Sequence, residues 1–246
     1  MMYVVITGAS SGIGYESALA FAKRGKNLIL VARRKQRLED LKSTIAEINP
    51  KIDVVVLPAD LSDTKQAHDL YERTKKYDLE TWINNAGFGD FSPVAEQDLS
   101  KVENMLLLNN VAMTILSTLF VRDYSSKEGT QLINVSSDAG YTIVDNFVTY
   151  CATKFYVSAF TEGVASELQG KGENMKAKVL APAVTETEFS YRAMGRGISD
   201  FPHSRTPEEV AQFMLDLYDS DKVIGIVDET NQFKLKDSFY PYIKKV

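Results

Sequence analysis

Near its N-terminus the chain reads Thr7-Gly8-Ala9-Ser10-Ser11-Gly12-Ile13-Gly14, a turn with the glycine spacing G-x-x-x-G-x-G. Residues 3–7 are apolar and β-branched, which predicts a buried strand leading into this turn. Apolar side chains suited to a helix packed on a sheet follow, and residues 27–32 predict a second strand. The sequence therefore predicts a unit of strand, glycine turn, helix and strand.

The three glycines have distinct physical uses in such a unit. Gly8 permits a tight turn, Gly12 allows a pyrophosphate to approach the backbone, and Gly14 lets the helix pack closely on the strand. The helix N-terminus then offers free N–H groups and a partial positive charge to the phosphates. A glycine-rich loop that binds no ligand is the alternative interpretation, but the flanking strand and helix favour a dinucleotide site.

The end of the second predicted strand indicates which dinucleotide is bound. An acidic side chain at this place usually binds the ribose 2′-hydroxyl, whereas an arginine accommodates a 2′-phosphate. Here Arg33 and Arg34 follow the strand and no carboxylate is present at its tip. The Arg33 guanidinium suits a phosphate by charge and by bidentate geometry. We predict NADP(H), with NAD(H) as the second choice, and interpret Arg34 and Arg37 as the solvated start of the next helix.

Strands and helices continue to alternate along the chain, which is typical of a parallel sheet. We predict an α/β fold, a doubly wound Rossmann-like parallel sheet of about seven strands with helices on both faces, formed as one domain by residues 1–246. The predicted strands are 3–7, 27–32, 53–58, 79–83, 131–136, 176–181 and 223–227. The predicted helices include 34–48, about 100–124, about 150–168, and one that starts with a capping box at Thr206-Pro207.

Composition excludes several other classes of protein. The formal net charge of -5 gives no electrostatic reason to expect a nucleic-acid partner. Cys151 is the one cysteine, and only His68 and His203 could join it, so we expect neither a disulfide framework nor a metal site. We find no signal-peptide pattern and no stretch approaching the roughly 20 apolar residues of a membrane span, and expect a cytoplasmic protein without a membrane partner.

Tyr150 and Lys154 are the pair of residues that points most directly to chemistry. Four residues apart in a helix, they lie on one face. A nearby ammonium lowers the pKa of a phenol, which is otherwise about 10, and the pair could then move a proton near neutral pH. The alternative is a half-buried tyrosine with a lysine extending beside it. Ser137 supports the first interpretation, because it leaves a predicted strand at the edge of the sheet that carries the glycine turn.

Four motifs, in this order, resemble those of the short-chain dehydrogenase/reductase family, in its compact single-domain branch. They are Thr7 to Gly14 as quoted above, Asn84-Asn85-Ala86-Gly87, Asn134-Val135-Ser136-Ser137, and Tyr150 with Lys154. Each motif alone is weak, but together they span nearly the whole chain and are highly specific.

The resemblance implies a role for each residue of the catalytic group. Tyr150 would pass the proton to or from the substrate oxygen, which Ser137 would hydrogen-bond. Lys154 would hold the nicotinamide ribose and lower the Tyr150 pKa. Asn110 would anchor a water in the proton relay; it is preferred to Asn109 because the family's asparagine is usually followed by Val or Leu.

The resemblance also implies a set of cofactor contacts along the strand ends. Two departures from the family pattern bear on them: Ser11 stands where some NADP-preferring members carry a basic residue, and Ala183 stands where a glycine is usual. Alanine would be strained there if the backbone required a positive φ. The implied cofactor-binding residues are Gly8, Ser10, Ser11, Gly12, Ile13, Gly14, Arg33, Asp60, Leu61, Asn85, Ala86, Gly87, Tyr150, Lys154, Pro182, Thr185 and Thr187.

The expected activity is reversible hydride transfer between the nicotinamide and a carbonyl or secondary alcohol of a small molecule. The segment at about 188–205 has little periodicity and is expected to cover the substrate. The resemblance implies a homodimer or homotetramer through the helices near 100–124 and 150–168. The alternatives are a regulatory or scaffold protein that binds the cofactor without using it, and an epimerase or dehydratase. The sequence does not specify the substrate.

Overall fold

A computed structural model of the chain describes residues 2–194 and 204–239. Its strands form one sheet in the order β3-β2-β1-β4-β5-β6-β7-β8. The first seven strands run parallel to their neighbours, and β8 is antiparallel to β7. The strands are β1 (Met2–Thr7), β2 (Asn27–Ala32), β3 (Val54–Pro58), β4 (Asp78–Asn84), β5 (Gln131–Val135), β6 (Lys176–Ala181), β7 (Ile224–Val227) and β8 (Phe233–Lys236).

Helices cover both faces of this sheet, as predicted. One face carries α1, α2 and α8, and the other carries α3, α5 and α6. The helices are α1 (Gly12–Lys23), α2 (Lys35–Ile48), α3 (Thr64–Thr74), α4 (Leu99–Leu106), α5 (Met113–Tyr124), α6 (Val148–Lys171), α7 (Glu188–Met194) and α8 (Pro207–Asp219).

The central strand β1 shows why its sequence is apolar throughout. Val4 and Ile6 pack into the core beneath α1, α2 and α8, whereas Tyr3 and Val5 pack into the opposite core. Successive side chains of a strand point to opposite faces, so a strand buried on both faces has no polar side. The doubly wound parallel fold predicted from the sequence is confirmed.

The sheet has eight strands rather than about seven, because one more strand, β8, follows the strand predicted at 223–227. β7 turns through residues 228–232 into β8, and Asn231 at the turn has a φ of 57°. The sequence Phe233-Lys234-Leu235-Lys236 alternates apolar and charged residues over only four positions. So short an edge strand becomes recognisable only when its partner is known.

The predicted helix at 100–124 is interrupted. α4 and α5 are separated by a π-helical stretch, Leu107–Ala112, that contains Asn109 and Asn110. π-helical stretches occur often at functional sites. The apolar periodicity of the sequence does not reveal this π-helical stretch.

The run Leu99–Tyr124 is long and apolar enough to cross a membrane, with a mean hydropathy of 1.5 in its most apolar window. The expectation that no stretch approaches such a length was therefore wrong. Leu116 and Phe120 of this run are fully buried against the sheet, so part of its apolar surface packs into the core.

Candidate active site

The glycine turn has the geometry that its sequence predicts. Gly8 and Gly12 have φ values of 70° and 57°, a region that favours glycine. A Cβ atom on Gly14 would lie 2.5 Å from both Gly8 O and Asn85 Nδ2. A larger residue at Gly14 would therefore separate α1 from β1 and the strand end beside it.

The N-terminus of α1 is open toward the cleft. Ser11 occupies the N-cap, but no side chain caps the helix there. The turn is held from the other side, because Asn85 Nδ2 donates to Thr7 O at 2.9 Å, while Thr7 Oγ1 accepts from Asn85 N and Ala86 N. The uncapped N–H groups and the glycine backbone make a rigid cradle of the kind that binds phosphate.

Arg33 extends from the end of β2 into the same cleft. Its side chain is 64% exposed, and its guanidinium lies 3.9 Å from Asp60 Oδ2. Asp60 follows β3 and uses its other carboxylate oxygen to accept from Ser62. Arg33 is thus a loosely held cation at the place predicted for the 2′-phosphate.

Arg34 is not the solvated helix residue that the sequence suggested. Its guanidinium donates to Ser10 Oγ at 3.0 Å and to Ser11 Oγ at 2.8 Å. It also donates to Glu188 Oε2 at 2.7 Å. Arg34 therefore supplies, from β2, the positive charge that Ser11 lacks within the glycine turn. The adjacent arginines after β2 were the available signal, but only the fold shows which one turns inward.

Glu188, at the start of α7, was not identified as a site residue. Its carboxylate pairs with Arg34, Arg37 and Arg192. The hydrogen bonds from Arg37 and Arg34 lower the Glu188 pKa to about 2. Arg37 is therefore a partner of Glu188 rather than only a solvated residue. This cluster joins the glycine turn, the β2–α2 connection and the first turn of α7.

Ser137 and Asp138 follow β5 at the centre of the cleft. Ser137 Oγ donates to Asp138 Oδ1 at 2.8 Å and accepts from Ala139 N at 3.2 Å. Burial raises the Asp138 pKa, while hydrogen bonds from Ser137 and from the backbone of Ala139 act in the opposite direction. Asp138 is a second site residue that the motif search did not single out.

Tyr150 lies in the first turns of α6, and its side chain is almost completely buried. Burial raises its pKa well above the ordinary phenol value, and the hydrogen bond with Ser137 acts in the opposite direction. The expected lowering by Lys154 is not seen. The Lys154 Nζ atom lies 5.6 Å from the centre of the Tyr150 ring and donates to Val135 O at 2.9 Å.

Lys154 itself is a buried cation. Burial lowers its pKa from 10.5 to about 8. A Cβ atom on Gly87 would lie 3.8 Å from its Nζ atom, so the lysine reaches the end of β4 as well as that of β5. The ammonium is therefore placed between Tyr150 and the predicted cofactor segment at Gly87.

The two asparagines of the π-helical stretch differ in what they bind. Both polar atoms of the Asn109 side chain bind the backbone of Phe88: Nδ2 donates to Phe88 O at 2.8 Å, and Oδ1 accepts from Phe88 N. Asn110 Nδ2 donates to Thr153 O at 2.9 Å, but its buried Oδ1 has no hydrogen-bond partner in the described part of the chain. Only Asn110 keeps an acceptor available on the α6 side.

A buried amide network supports these strand ends. Asn84 Nδ2 donates to Asn134 Oδ1 at 2.9 Å and to Ser117 Oγ at 3.0 Å, and Asn134 Nδ2 donates to Thr161 Oγ1. These contacts link β4, β5, α5 and α6 beneath the site. Both asparagines belong to the motifs quoted above, where their side chains have a structural use.

The segment after β6 passes over the glycine turn. A Cβ on Gly12 would lie 2.8 Å from Thr187 Cγ2, and Thr185 Oγ1 donates to Ala183 O. Among the described residues other than glycine, only Asn146 and Asn231 have a positive φ, so Ala183 is not strained. The departure from glycine at this position is accommodated by an ordinary turn.

One cleft at the carboxyl edge of the sheet brings the predicted residues together. Ser137 and every predicted cofactor residue except Gly14 line it, and Asn110 does not. Of the predicted covering segment 188–205, residues 188–194 form α7, with Phe189 and Arg192 on the cleft, and residues 195–203 lie outside the described part of the chain.

The residues present fit a dinucleotide. The glycine cradle and the uncapped α1 N-terminus suit phosphates, and two arginines stand at the ribose end. The cleft opens where β1 and β4 are neighbours although β2 and β3 intervene in the chain. Ligands bind at such switch points in open α/β sheets. The fold and the site thus define a dinucleotide-binding protein of the Rossmann class.

Comparison with known proteins identifies the family. A model described as "short chain dehydrogenase" matches residues 2–194. The chain therefore belongs to the short-chain dehydrogenase/reductase family of oxidoreductases, as the four motifs suggested.

Relatives and solved structures match over most of the chain. A 7beta-hydroxysteroid dehydrogenase of Clostridium sardiniense is 32% identical over 74% of this chain and 70% of its own length. An NADP-dependent 3-hydroxy acid dehydrogenase of Schizosaccharomyces pombe is 30% identical over 86% and 85%. A short-chain dehydrogenase from Sphingobium yanoikuyae in complex with NADPH has a TM-score of 0.86 and 30% identity, covering 92% and 87% of the two chains.

Proposed function

We propose that the protein is an NADP(H)-dependent oxidoreductase that interconverts a carbonyl and a secondary alcohol of a small molecule, with Tyr150 as general acid and base. The observation that carries this proposal is the convergence of Ser137, Tyr150 and Lys154 with the glycine turn in one cleft. When bound there, the nicotinamide would accept or supply the hydride. A regulator or scaffold would have no chemical use for all three polar side chains.

Tyr150 would hold and transfer the proton at the substrate oxygen. A buried phenol with a raised pKa is a poor proton donor unless positive charge or hydrogen bonds stabilise its phenolate. Ser137 would supply one such hydrogen bond once its hydroxyl leaves Asp138. Its hydroxyl donates to Asp138 in this structure, so a substrate carbonyl would compete with Asp138 for that donor.

Lys154 would supply the positive charge and hold the nicotinamide ribose. Its present partner, Val135 O, is a neutral carbonyl that a ribose hydroxyl could replace. The unpartnered Asn110 Oδ1 supports the proposal that Asn110, rather than Asn109, anchors a water of the proton relay. Together these residues would connect the phenol to solvent.

The preference for NADP(H) rests on Arg33 and Arg34. Both line the cleft beside the glycine turn, one exposed and one bound to Ser10 and Ser11. The relative named as NADP-dependent and the neighbour solved with NADPH are consistent with this preference. The names of the relatives include a hydroxysteroid and a hydroxy acid, so similarity alone does not choose the substrate.

Tyr150→Phe tests the mechanism. The variant should bind NADPH with near-wild-type affinity in a fluorescence titration, yet reduce carbonyl substrates at least about a hundredfold more slowly, because it lacks the proton donor. Turnover within a few-fold of wild type would remove Tyr150 from the mechanism. Titrating the wild type with NADPH and NADH tests the cofactor, and tighter NADH binding would overturn the preference.

A further inference from the structure

Two phenylalanines pack against the Tyr150 ring, and a third packs against one of them. Phe147 stacks on it with ring centres 4.2 Å apart and planes inclined by 21°, and Phe189 lies 5.4 Å away in a tilted arrangement. Phe91 continues the group at 5.6 Å from Phe147. All three line the cleft, although they come from three separate segments of the chain. The reacting oxygen would therefore meet Tyr150 inside an aromatic enclosure.

The backbone is arranged to let these rings meet. A Cβ atom on Gly89 would lie 2.9 Å from Cζ of both Phe147 and Phe189. Phe91 N donates to Ala193 O at 2.9 Å, which attaches the segment after β4 to α7. The contact between the rings therefore depends on the missing side chain at Gly89 and on the hydrogen bond between Phe91 and Ala193.

The charges at this end of the cleft disfavour an anionic substrate. Asp138 places a carboxylate directly beside Ser137. Of the described lining residues near Tyr150, the cations are Lys154 and Arg192. Lys154 donates to Val135 O, and Arg192 donates to Glu188 Oε2 at 2.9 Å. Lys154 would be taken by the nicotinamide ribose in the proposed function and Arg192 is paired with Glu188, so a substrate carboxylate would lose its hydration here while facing Asp138.

We infer that the substrate is a neutral ketone or aldehyde with an apolar, preferably aromatic, substituent, and not an oxo or hydroxy acid. This inference rests on the proposed function and adds the substrate class to it. Phe91, Phe147 and Phe189 select the apolar substituent by packing against it. Asp138 repels anions from the same place.

The test uses two compounds of one shape that differ in charge, para-methylacetophenone and para-acetylbenzoate. Their reduction by the full-length protein is followed by NADPH absorbance, with propanal as a small neutral carbonyl. The kcat/KM for para-methylacetophenone should exceed that for para-acetylbenzoate by roughly tenfold or more. Calorimetric titration of both compounds into the NADP-loaded protein should show the same order of affinity.

Val144→Lys should reverse the selection, because Val144 lines the cleft beside Phe147. The new ammonium should lower the kcat/KM ratio of the neutral to the charged compound by about tenfold. Ile143→Lys is the matched control: it adds the same charge at the neighbouring, exposed residue that does not line the cleft, and should leave the ratio close to wild type.

Phe147→Ala should reduce kcat/KM for para-methylacetophenone by about tenfold while affecting propanal less, because propanal has no ring to pack. Unchanged NADPH binding would show that this variant is folded. Equal or faster reduction of para-acetylbenzoate by the wild type would overturn the substrate class and leave the proposed function standing. NADPH binding without oxidation by any compound, propanal included, would overturn the proposed function and this inference with it.

Discussion

At the scale of single residues, the site is controlled by charges whose partners lie far apart in the chain. Lys154 is a buried cation with a neutral carbonyl as its partner, and Glu188 is a carboxylate surrounded by three arginines. Burial makes the charge of Lys154 costly, whereas the arginines make the charge of Glu188 favourable. The charge of Lys154 should therefore affect how stability depends on pH, and the charge of Glu188 should affect the affinity for NADPH.

Lys154 should make stability depend on pH. The Lys154 pKa is about 8 in the folded protein, whereas the ordinary lysine value of 10.5 applies to the unfolded chain. Between these two pH values the unfolded chain therefore binds more protons than the folded protein. Stability from this group therefore rises with pH across that window, by up to about 3 kcal/mol. Urea unfolding of wild type and Lys154→Met at several pH values should show a steeper rise in the wild type, because Lys178 contributes its own rise over the same window in both proteins. A difference between the two proteins that does not change with pH would contradict the pKa.

Glu188→Gln should strengthen NADPH binding. The variant frees Arg34 and Arg37 from a competing carboxylate, so the 2′-phosphate of NADPH should be attracted more strongly. We expect the Kd for NADPH to fall about fivefold at low salt and that for NADH to change less. Glu186→Gln, which removes a carboxylate two positions earlier, is the control. Weaker NADPH binding in Glu188→Gln would mean that Glu188 positions Arg34 rather than competing for it.

At the scale of elements, β6 and α8 are joined by a lysine inside the protein. Lys178 is fully buried, and its Nζ atom donates to Leu217 O and Tyr218 O at 2.9 Å and to Ser220 O at 2.6 Å. These carbonyls lie at the end of α8, where the helix leaves its last C=O groups without partners and carries a partial negative charge. The lysine satisfies them and attaches the helix to the sheet.

Lys178→Met should destabilise the protein by about 2–4 kcal/mol, because the end of α8 loses the three hydrogen bonds that attach it to β6. Lys176→Met is a matched control in the same strand. Its exposed ion pair with Asp221 is screened by solvent and should contribute little to stability. Urea unfolding measures both, and equal losses would show that the buried contacts of Lys178 add nothing.

The elements also show what the pattern of residues can and cannot reveal. β2 and β6 have the predicted bounds. In β2 a continuous apolar run marks a strand buried on both faces, and β6 is such a strand although it contains the buried Lys178. The helices predicted at 34–48 and 150–168 are confirmed with small shifts at their ends. The π-helical stretch was missed because its apolar spacing resembles that of an ordinary helix. β8 was missed because its four residues depend on pairing with β7.

At the scale of the whole molecule, apolar side chains remain exposed on the outer surface of the π-helical stretch and of α6. Val111 and Tyr156 are examples. Tyr156 OH lies 2.9 Å from Thr114 Oγ1, which links α6 to α5, the helix that follows the π-helical stretch. Exposed apolar groups on neighbouring helices favour association between copies. The region coincides with the helices near 100–124 and 150–168, through which the family resemblance implies a dimer or tetramer.

Sedimentation should therefore show a homodimer or homotetramer for the wild type. Val111→Asp should shift it toward smaller species, since a carboxylate would lose hydration at an apolar interface. Ile48→Asp places the same charge on α2, on the other side of the sheet, and should not change the assembly. A monomeric wild type would refute the expectation.

The amino-acid sequence alone was sufficient for the doubly wound fold, the glycine turn and the group of Ser137, Tyr150 and Lys154. Each of these leaves a pattern of local spacing. The fold is marked by apolar periodicity, the turn by glycines at fixed positions, and the catalytic group by Tyr150 and Lys154 one helical turn apart. Local spacing survives in the sequence because the residues concerned are neighbours in the chain.

Tertiary structure alone decided the direction of Arg34, its pairing with Glu188 and the aromatic enclosure of Tyr150. Arg34 and Glu188 are 154 positions apart, and the three phenylalanines come from three separate segments of the chain. Their contacts arise because parallel strands bring all their carboxyl ends to one edge of the sheet. The order of β1 to β8 decides which loops become neighbours there. The glycine turn marks the cofactor cleft in the sequence, but the substrate side of the cleft exists only once the sheet has formed.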